Sequence, residues 1–359
     1  MTILDRYILR EYCKWFLLTM ISFTLLYLIV DFFGKIRMFL SNDATIFQMG
    51  GHVLYGIPQI ISHTMPVSVL LASLLAFSFF SKNSEVVAMK SCGISLYRVS
   101  LPLLICALVI SAFAFLFNEF ITPAANQKVK YIENVEIKKQ RNLGVFKQNQ
   151  IWHRSKDAIY NFSLFDPHTN TLKGITVNYF DREFRLAMRI DAKTAKWENN
   201  QWVCSDILIT KFSQGDFPVL ERISRKIIDI PETPSDLKTV QKDTNQMGFL
   251  ELRKYIEKLR TEGFDPSSYL ADMHGKIAFV MVNIVLTIIG ISFSLKSERS
   301  GGVAMSIGAG IVIGFSYWIV FAFCLSIGRS LIIPPLLAAW SANLILGILG
   351  LIMYLRVKT

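Results

Sequence analysis

Asp31, His63 and Glu119 are ionisable residues set within or at the edge of long apolar runs. Hydrocarbon penalises charge, so such residues are functional candidates by default. Lys35 follows Asp31 by one helical turn, and Arg37 comes two residues later. A guanidinium fits a phosphate in two-pronged fashion, and an ammonium acts on it as a point charge. The two cations could therefore meet an anion. Snorkelling and an i,i+4 pair between Asp31 and Lys35 are the competing readings. His52, His63, His153, His168 and His274 show no metal-ligand spacing, and Cys13, Cys92, Cys106, Cys204 and Cys324 contain no CxxC. Gly34-Lys35 and Gly275-Lys276 lack the upstream glycine and following Ser/Thr of a phosphate loop. No metal, cofactor or nucleotide hydrolysis by that route is expected of this chain. Asn118 and Glu119 read as an interface mark rather than a catalytic pair.

The stretch Ser81 to Ser95 is the most informative short segment. Asn83 or Ser84 can cap a helix, Glu85 suits its first turn, and Gly93 is a natural stop. A helix of about two turns over residues 83–93 is expected. One reading makes it an interfacial linker. The other makes it a coupling helix that presents Ser84, Glu85, Val86, Val87, Met89, Lys90 and Gly93 to an ATPase subunit.

These residues need elements to hold them. Six apolar runs, at about 15–34, 55–80, 99–121, 277–295, 303–327 and 331–355, are long enough to span hydrocarbon as helices. The first is too long for a cleaved h-region and reads as a signal anchor. The polar stretch 123–275 holds 24 of the 38 Lys/Arg and 20 of the 27 Asp/Glu, so the net charge of +11 is no nucleic-acid signal. Lys/Arg bias in the short loops orients the chain. With the N-terminus inside, Arg6, Arg10, Lys14, Lys82, Lys90, Arg98, Lys296, Arg299, Arg356 and Lys358 are cytoplasmic. The short outer loops carry only Lys35, Arg37 and Arg329. Both termini are therefore expected in the cytoplasm and the central domain outside.

Between about 143 and 230 the apolar residues alternate, as in half-buried strands. Tyr160, Phe162 and Leu164 form one such set, Ile175, Val177 and Tyr179 another, and Phe184, Leu186, Met188 and Ile190 a third. Asn199-Asn200 between two tryptophans reads as a hairpin turn, with further turns at Asp166-Pro167 and Gly215-Asp216. Cys204 alone lies in this segment, so it has no internal disulfide. Pro231 and Pro234 end the strands. Leu250, Tyr255, Ile256 and Leu259 then fall at helical spacing, closed by Gly263. The expected fold is a six-helix membrane protein with an inserted all-β, jelly-roll-like domain. The boundaries are 1–122, 123–272 and 273–359.

Four stretches carry a resemblance. The elbow SEVVAMKSCGIS resembles that of the LptF/LptG family, the permease subunits of the lipopolysaccharide exporter. Leu4 to Ile8 is similar to the family's opening. His274-Gly275-Lys276 is similar to its H-x-K, and Ile333 to Asn343 to its PP-x-x-AAW-x-x-N. The match runs through the whole chain in order.

The resemblance implies a heterodimer with an LptF-like permease over an LptB-like ATPase dimer that binds ATP and Mg. It also implies an LptC-like bitopic partner. Lipopolysaccharide would enter a cavity walled by Leu25, Leu26, Leu28, Ile29, Phe32 and Phe33, with Lys35 and Arg37 at its rim. Ile311 and Phe315 would join that wall from span five, whose Gly310-x-x-x-Gly314, near Gly301, Gly302 and Gly308, suits close packing or a gate seam. Acyl chains would leave along a β-domain slot lined by Phe162, Leu164, Val177, Tyr179, Leu186 and Met188. A lipid-modifying enzyme and a membrane scaffold are the alternatives. The first needs converging polar groups, and the second needs no ATPase contact.

Overall fold

The computed structural model describes residues 2–139, 145–147, 150–154, 158–166, 169–181, 185–198, 200–212, 217–230, 233–234, 243–261, 265–296, 303–330 and 332–356. Pro167, His168, Phe184, Asn199, Gly215, Asp216, Pro231, Gly263, Arg299, Gly301, Gly302 and Lys358, invoked above, lie outside the described residues, as does the side chain of Leu164.

The helices are α1 (Ile3–Ser41), α2 (Ile46–Lys82), α3 (Glu85–Ser91), α4 (Leu96–Tyr131), α5 (Phe249–Thr261), α6 (Ser267–Lys296), α7 (Val303–Arg329) and α8 (Pro335–Leu355). Six of them, all but α3 and α5, are long and apolar enough to cross a membrane. Thr2 with Asp5 and Thr45 with Gln48 form capping boxes that fix where α1 and α2 begin. At 39 residues α1 is about 58 Å long, well beyond a hydrocarbon core of about 30 Å. It therefore projects past the apolar run on which the sequence places the span. Buried hydroxyls return to their own helix: Thr19 donates to Trp15 O at 2.9 Å, Ser73 to Val69 O at 2.9 Å and Thr287 to Asn283 O at 2.7 Å. That satisfies each group where no water can. Asn343 bridges helices, donating to Ala278 O at 2.6 Å from a face of α8 that also buries Ala338, Ala339 and Ala342.

The chain contacts divide it into residues 1–133 with 244–359, and residues 134–243. The second unit is narrower than 123–272. Helix α4 runs on to Tyr131 and into a π-turn at Ile132–Ile137, and α5 packs with the spans through Tyr255 and Tyr269 at 5.2 Å. On α5 the buried face is Leu252, Tyr255, Ile256 and Leu259, while Leu250 is exposed. Three of the four expected residues thus lie on the buried face, with Leu252 in place of Leu250.

The domain is a seven-stranded antiparallel meander with strands in chain order. The strands are β1 (Val145–Lys147), β2 (Gln150–Arg154), β3 (Ala158–Asp166), β4 (Thr171–Phe180), β5 (Leu186–Glu198), β6 (Gln201–Lys211) and β7 (Val219–Ile228). Glu198 pairs with Gln201 and Trp197 with Trp202 across the expected hairpin, where Asn200 takes a positive φ of 63°.

The period of two slips once in each of four strands. Phe162, Ile175, Ala192 and Ile207 are buried and in register, and the next buried row is Phe165, Leu172, Ala195 and Cys204. Each step is three residues instead of two. Gly174 (φ +58°) and Asp206 (φ 55°) lie on this line. The sheet bends there, and the rows on both sides belong to one core with Tyr160, Val177, Ile190 and Trp202. A single sheet has no second sheet to cover it, so bending is how its apolar face leaves water. Asp206 tolerates the left-handed backbone better than most residues. Arg222 lies 2.8 Å away and holds its carboxyl below the usual carboxylate range. In the core, burial pushes the Cys204 thiol up to about 12.

A Cβ on Gly174 would overlap Ser163 Oγ, and the left-handed conformation costs an L-residue roughly 1–2 kcal/mol. Gly174→Ala is expected to destabilise the β domain by about 2 kcal/mol or more, read by unfolding of the full chain through Trp197 and Trp202 fluorescence. Adding Ser163→Gly should recover the steric part and leave the conformational part.

Candidate functional site

The elbow is tied to the helices around it. Helix α3 starts at Glu85, and neither Asn83 nor Ser84 caps it by the expected side-chain bond: Ser84 is left-handed (φ 58°) and makes none. Its other end follows the expected pattern. Gly93 (φ +78°) donates to Lys90 O at 2.9 Å and Ile94 to Met89 O at 3.0 Å, the paired bonds of a glycine-terminated helix. Val86 and Met89 are buried in a core with Ile8, Tyr12 and Phe80, whereas Val87, Lys90 and Cys92 are exposed. Of the coupling candidates, then, Val86 and Met89 seat the elbow, and Val87 and Lys90 face outward. Tyr7 Oη donates to Glu85 Oε2 at 2.9 Å and Oε1 at 3.1 Å. Arg98 donates one hydrogen bond to Asp5 Oδ2 at 2.9 Å, and its second terminal nitrogen lies at ion-pair distance, 2.8 Å, from Oδ1. These contacts bind the starts of α1, α3 and α4 together.

Along α1, Leu25, Ile29 and Phe33 are exposed, and Leu28 and Phe32 are half-buried. On α7, Ile311 and Phe315 are also exposed, while Gly310 and Gly314 face α2: a Cβ would sit 2.5 Å from Leu71 Cδ2 and 3.2 Å from Val67 Cγ2 respectively. The glycine pair therefore makes a seam inside this chain, and the apolar residues of both helices face away from it. Contiguous apolar surface of this kind meets lipid or a partner. Lys35 Nζ lies 2.8 Å from Asp31 Oδ2, so the competing pair is formed, and Arg37 is exposed.

At the end of the bundle away from the elbow, α2, α4, α6 and α7 enclose a pocket of about 390 Å³. Phe279, Trp318 and Phe321 give it an aromatic wall; Gln59, His63, Asp272, Lys276 and Arg329 give it polar groups. Gln59 bonds His63 at 2.5 Å, and Asn126 donates to Gln59 at 2.8 Å. Arg329 Nε reaches Asp272 Oδ1 at 2.7 Å. The pocket draws its polar residues from separate segments; His63 within an apolar run and the charges of Lys276 and Arg329 at span edges are its signals in the sequence.

Glu119 has a structural role. Its carboxylate accepts from Phe249 N at 2.5 Å and Leu250 N at 3.1 Å, capping α5 from α4. Gly248 permits the approach, since a Cβ there would lie 2.8 Å from Glu119 O and Oε1. In the β domain, Phe162 and Val177 are fully buried, so the core is closed at those positions. Tyr179, Leu186 and Met188 are half-buried and carry the accessible part of the candidate slot.

The family described as lipopolysaccharide export system permease LptF/LptG matches residues 6–356. Lipopolysaccharide export system permease protein LptG of Escherichia coli K12 is 23% identical over 346 residues, covering 94% of this chain and 93% of its own. The LptG protein of Haemophilus influenzae is 24% identical over 322 residues, covering 88% of each chain.

Charge-assisted hydrogen bonds are worth about 1.5–3 kcal/mol, so the Glu119 cap is a substantial part of what fixes α5. Glu119→Ala is expected to raise amide exchange across 249–261 by about tenfold or more, with Glu119→Gln intermediate. Unchanged exchange in the alanine variant would refute the capping role.

Proposed function

The chain belongs to the LptF/LptG family of lipopolysaccharide export permeases, and from that premise we propose that it is the LptG-like permease subunit of a lipopolysaccharide exporter. It extracts lipopolysaccharide from the inner membrane and passes it to a periplasmic bridge. The family match across nearly the whole chain, in one order of spans, elbow and β domain, carries this reading. The relatives named LptG, the run Val86 to Lys90 and the aromatic first span favour this branch over the LptF paralogue.

In this reading both termini and α3 are cytoplasmic and the β domain is periplasmic, as the Lys/Arg bias requires. ATP is hydrolysed by an LptB-like dimer docked on the elbow. An LptF-like permease completes the cavity, and an LptC-like protein receives the product. The chemistry left to this chain is physical. The exposed apolar faces of α1 and α7 supply walls for acyl chains, and Arg37 with Lys35 attracts the anionic head. Exposure of a methylene to water costs about 0.8 kcal/mol, so a multi-acyl lipid needs an apolar path out. The half-buried Tyr179, Leu186 and Met188 supply its open part in the domain.

The elbow contact is tested by paired substitutions. Val87→Asp changes an exposed residue and should leave the chain folded while uncoupling ATP hydrolysis from lipopolysaccharide release. Val86→Asp changes a buried one and should reduce accumulation of the chain itself. Coupled transport at the wild-type rate in Val87→Asp would overturn the docking role. For the path, photo-crosslinkers at Tyr179 and Leu186 should capture lipopolysaccharide only during ATP turnover, with Phe162 much weaker. Capture confined to the partner permease would make this domain a strut.

A further inference from the structure

The pocket between α2, α4, α6 and α7 has no residue from α1 and is therefore distinct from the Lys35 and Arg37 rim. Its volume, about 390 Å³, falls within the range of small-ligand sites, roughly 300–1,000 Å³. It is amphipathic, with Phe279, Trp318 and Phe321 on one side and Lys276 among the polar groups.

Among the described residues no ion pair takes up the charge of Lys276. Asp272, Glu119 and Glu251 are the carboxylates that act on it electrostatically. Asp272 is engaged by Arg329 at 2.7 Å, and Glu119 by the amides of α5. Among the described residues no carboxylate lies within ion-pair distance of Lys276, which is half-buried. His63 adds a second unmet group. Its Nε2 meets Gln59, and its buried Nδ1 has no hydrogen-bond partner. Buried polar groups without partners are costly, and a cation more so. A ligand that brought an anion to Lys276 and apolar atoms to Trp318 would meet the cation and cover the aromatic wall.

We propose that this pocket binds the phosphate ester of a membrane-lipid headgroup, with Lys276 holding the phosphate and the Phe279–Trp318 wall covering the apolar part below it. A phosphate ester joined to hydrocarbon matches a cation and an aromatic wall in one small cavity. The inference needs only that the bundle spans a membrane and is independent of the export reading. The occupant would bridge the first three spans to the last three. Thr244 and Asn245, where the chain re-enters the bundle, also line the pocket, so it would brace that return segment.

Trp318 provides the probe. The full chain, purified from membranes with whatever subunits accompany it, is titrated with phosphatidylglycerol brominated on its acyl chains. The quenching due to Trp318 is taken as the difference from Trp318→Phe. Saturable quenching is expected, weakened about tenfold in Lys276→Gln and retained within about twofold in Lys276→Arg, because an arginine still binds phosphate. Competition by unlabelled phospholipid, lipopolysaccharide or inorganic phosphate identifies the source of the phosphate. Equal quenching by brominated diacylglycerol, which lacks phosphate, would overturn the proposal on the wild-type protein alone, even if the glutamine variant failed to fold. Wild-type affinity in a folded Lys276→Gln, or lost binding in a folded Lys276→Arg, would overturn it as well.

Discussion

Helix α2 is enclosed on all sides from Ser68 to Phe77, and the arrangement of the membrane unit follows from that enclosure. One face, with Ala72, Ala76, Phe77 and Phe80, packs with α1 and α4. Another, with Leu70, Leu71 and Leu74, packs with α6, α7 and α8. Lipid is as apolar as these side chains, so burial alone does not drive such an assembly; close fit does. Glycines supply the fit. A Cβ on Gly290 would sit 2.8 Å from Ser73 Cβ and 3.0 Å from Leu70 O, and one on Gly310 2.5 Å from Leu71. At Gly290 the neighbouring helix thus touches the α2 backbone itself, so a side chain there would force the helices apart, whereas at Gly310 it would press on the ends of Leu71 and Leu74.

The same helix joins the two candidate sites. At one end it hands the chain to the elbow, where Tyr7, Glu85, Asp5 and Arg98 lock the starts of three helices. At the other it supplies Gln59 and His63 to the pocket. Pro58 and Pro66 lie between its tightly packed middle and its far end. Each removes a backbone donor and loosens a turn. The middle and the elbow end therefore move as one piece, and the proline-bearing half is where bending is least costly.

The membrane spans were legible because an apolar run of about 20 residues has few other uses. Their ends were not, because capping residues Thr2 and Thr45 lie outside the apolar runs. Alternation revealed the strands and the Trp197–Trp202 hairpin. It could not reveal the bend, since the phase slips at Ser163-Leu164 and Lys193-Thr194 carry no glycine, and Asp206 is not an obligatory turn residue. Gly93 announced the end of the elbow helix, but the chain reverses through a left-handed Ser84, which no local pattern marks. Leu250 is exposed because it breaks the i, i+3, i+4, i+7 spacing that Leu252, Tyr255, Ile256 and Leu259 keep. Glu119 drew notice as a carboxylate in an apolar run, yet its partners are backbone amides 130 residues on. The pocket was beyond reach for a similar reason: four helices supply it, and only their packing brings the groups together.

Charge at the end of the bundle away from the elbow is arranged in tiers of strength. The Asp31–Lys35 pair is partly exposed, with side chains 30% and 37% accessible. Pairs of that kind are worth about 0–1 kcal/mol, so an anionic headgroup can displace Asp31 from Lys35 at little cost. Asp272 is better sheltered, at 12%, and meets a guanidinium. Glu119 is fixed by two amides and by the fit of Gly248, and α5 depends on it. In the proposed reading an incoming anion would perturb the α1 pair first and leave the anchor of α5 intact. Recognition at the α1 rim would then proceed without loosening the return segment. The pocket, where Lys276, His63 and the returning Thr244 and Asn245 line the same cavity, is the contact with that return that an anion would alter most directly.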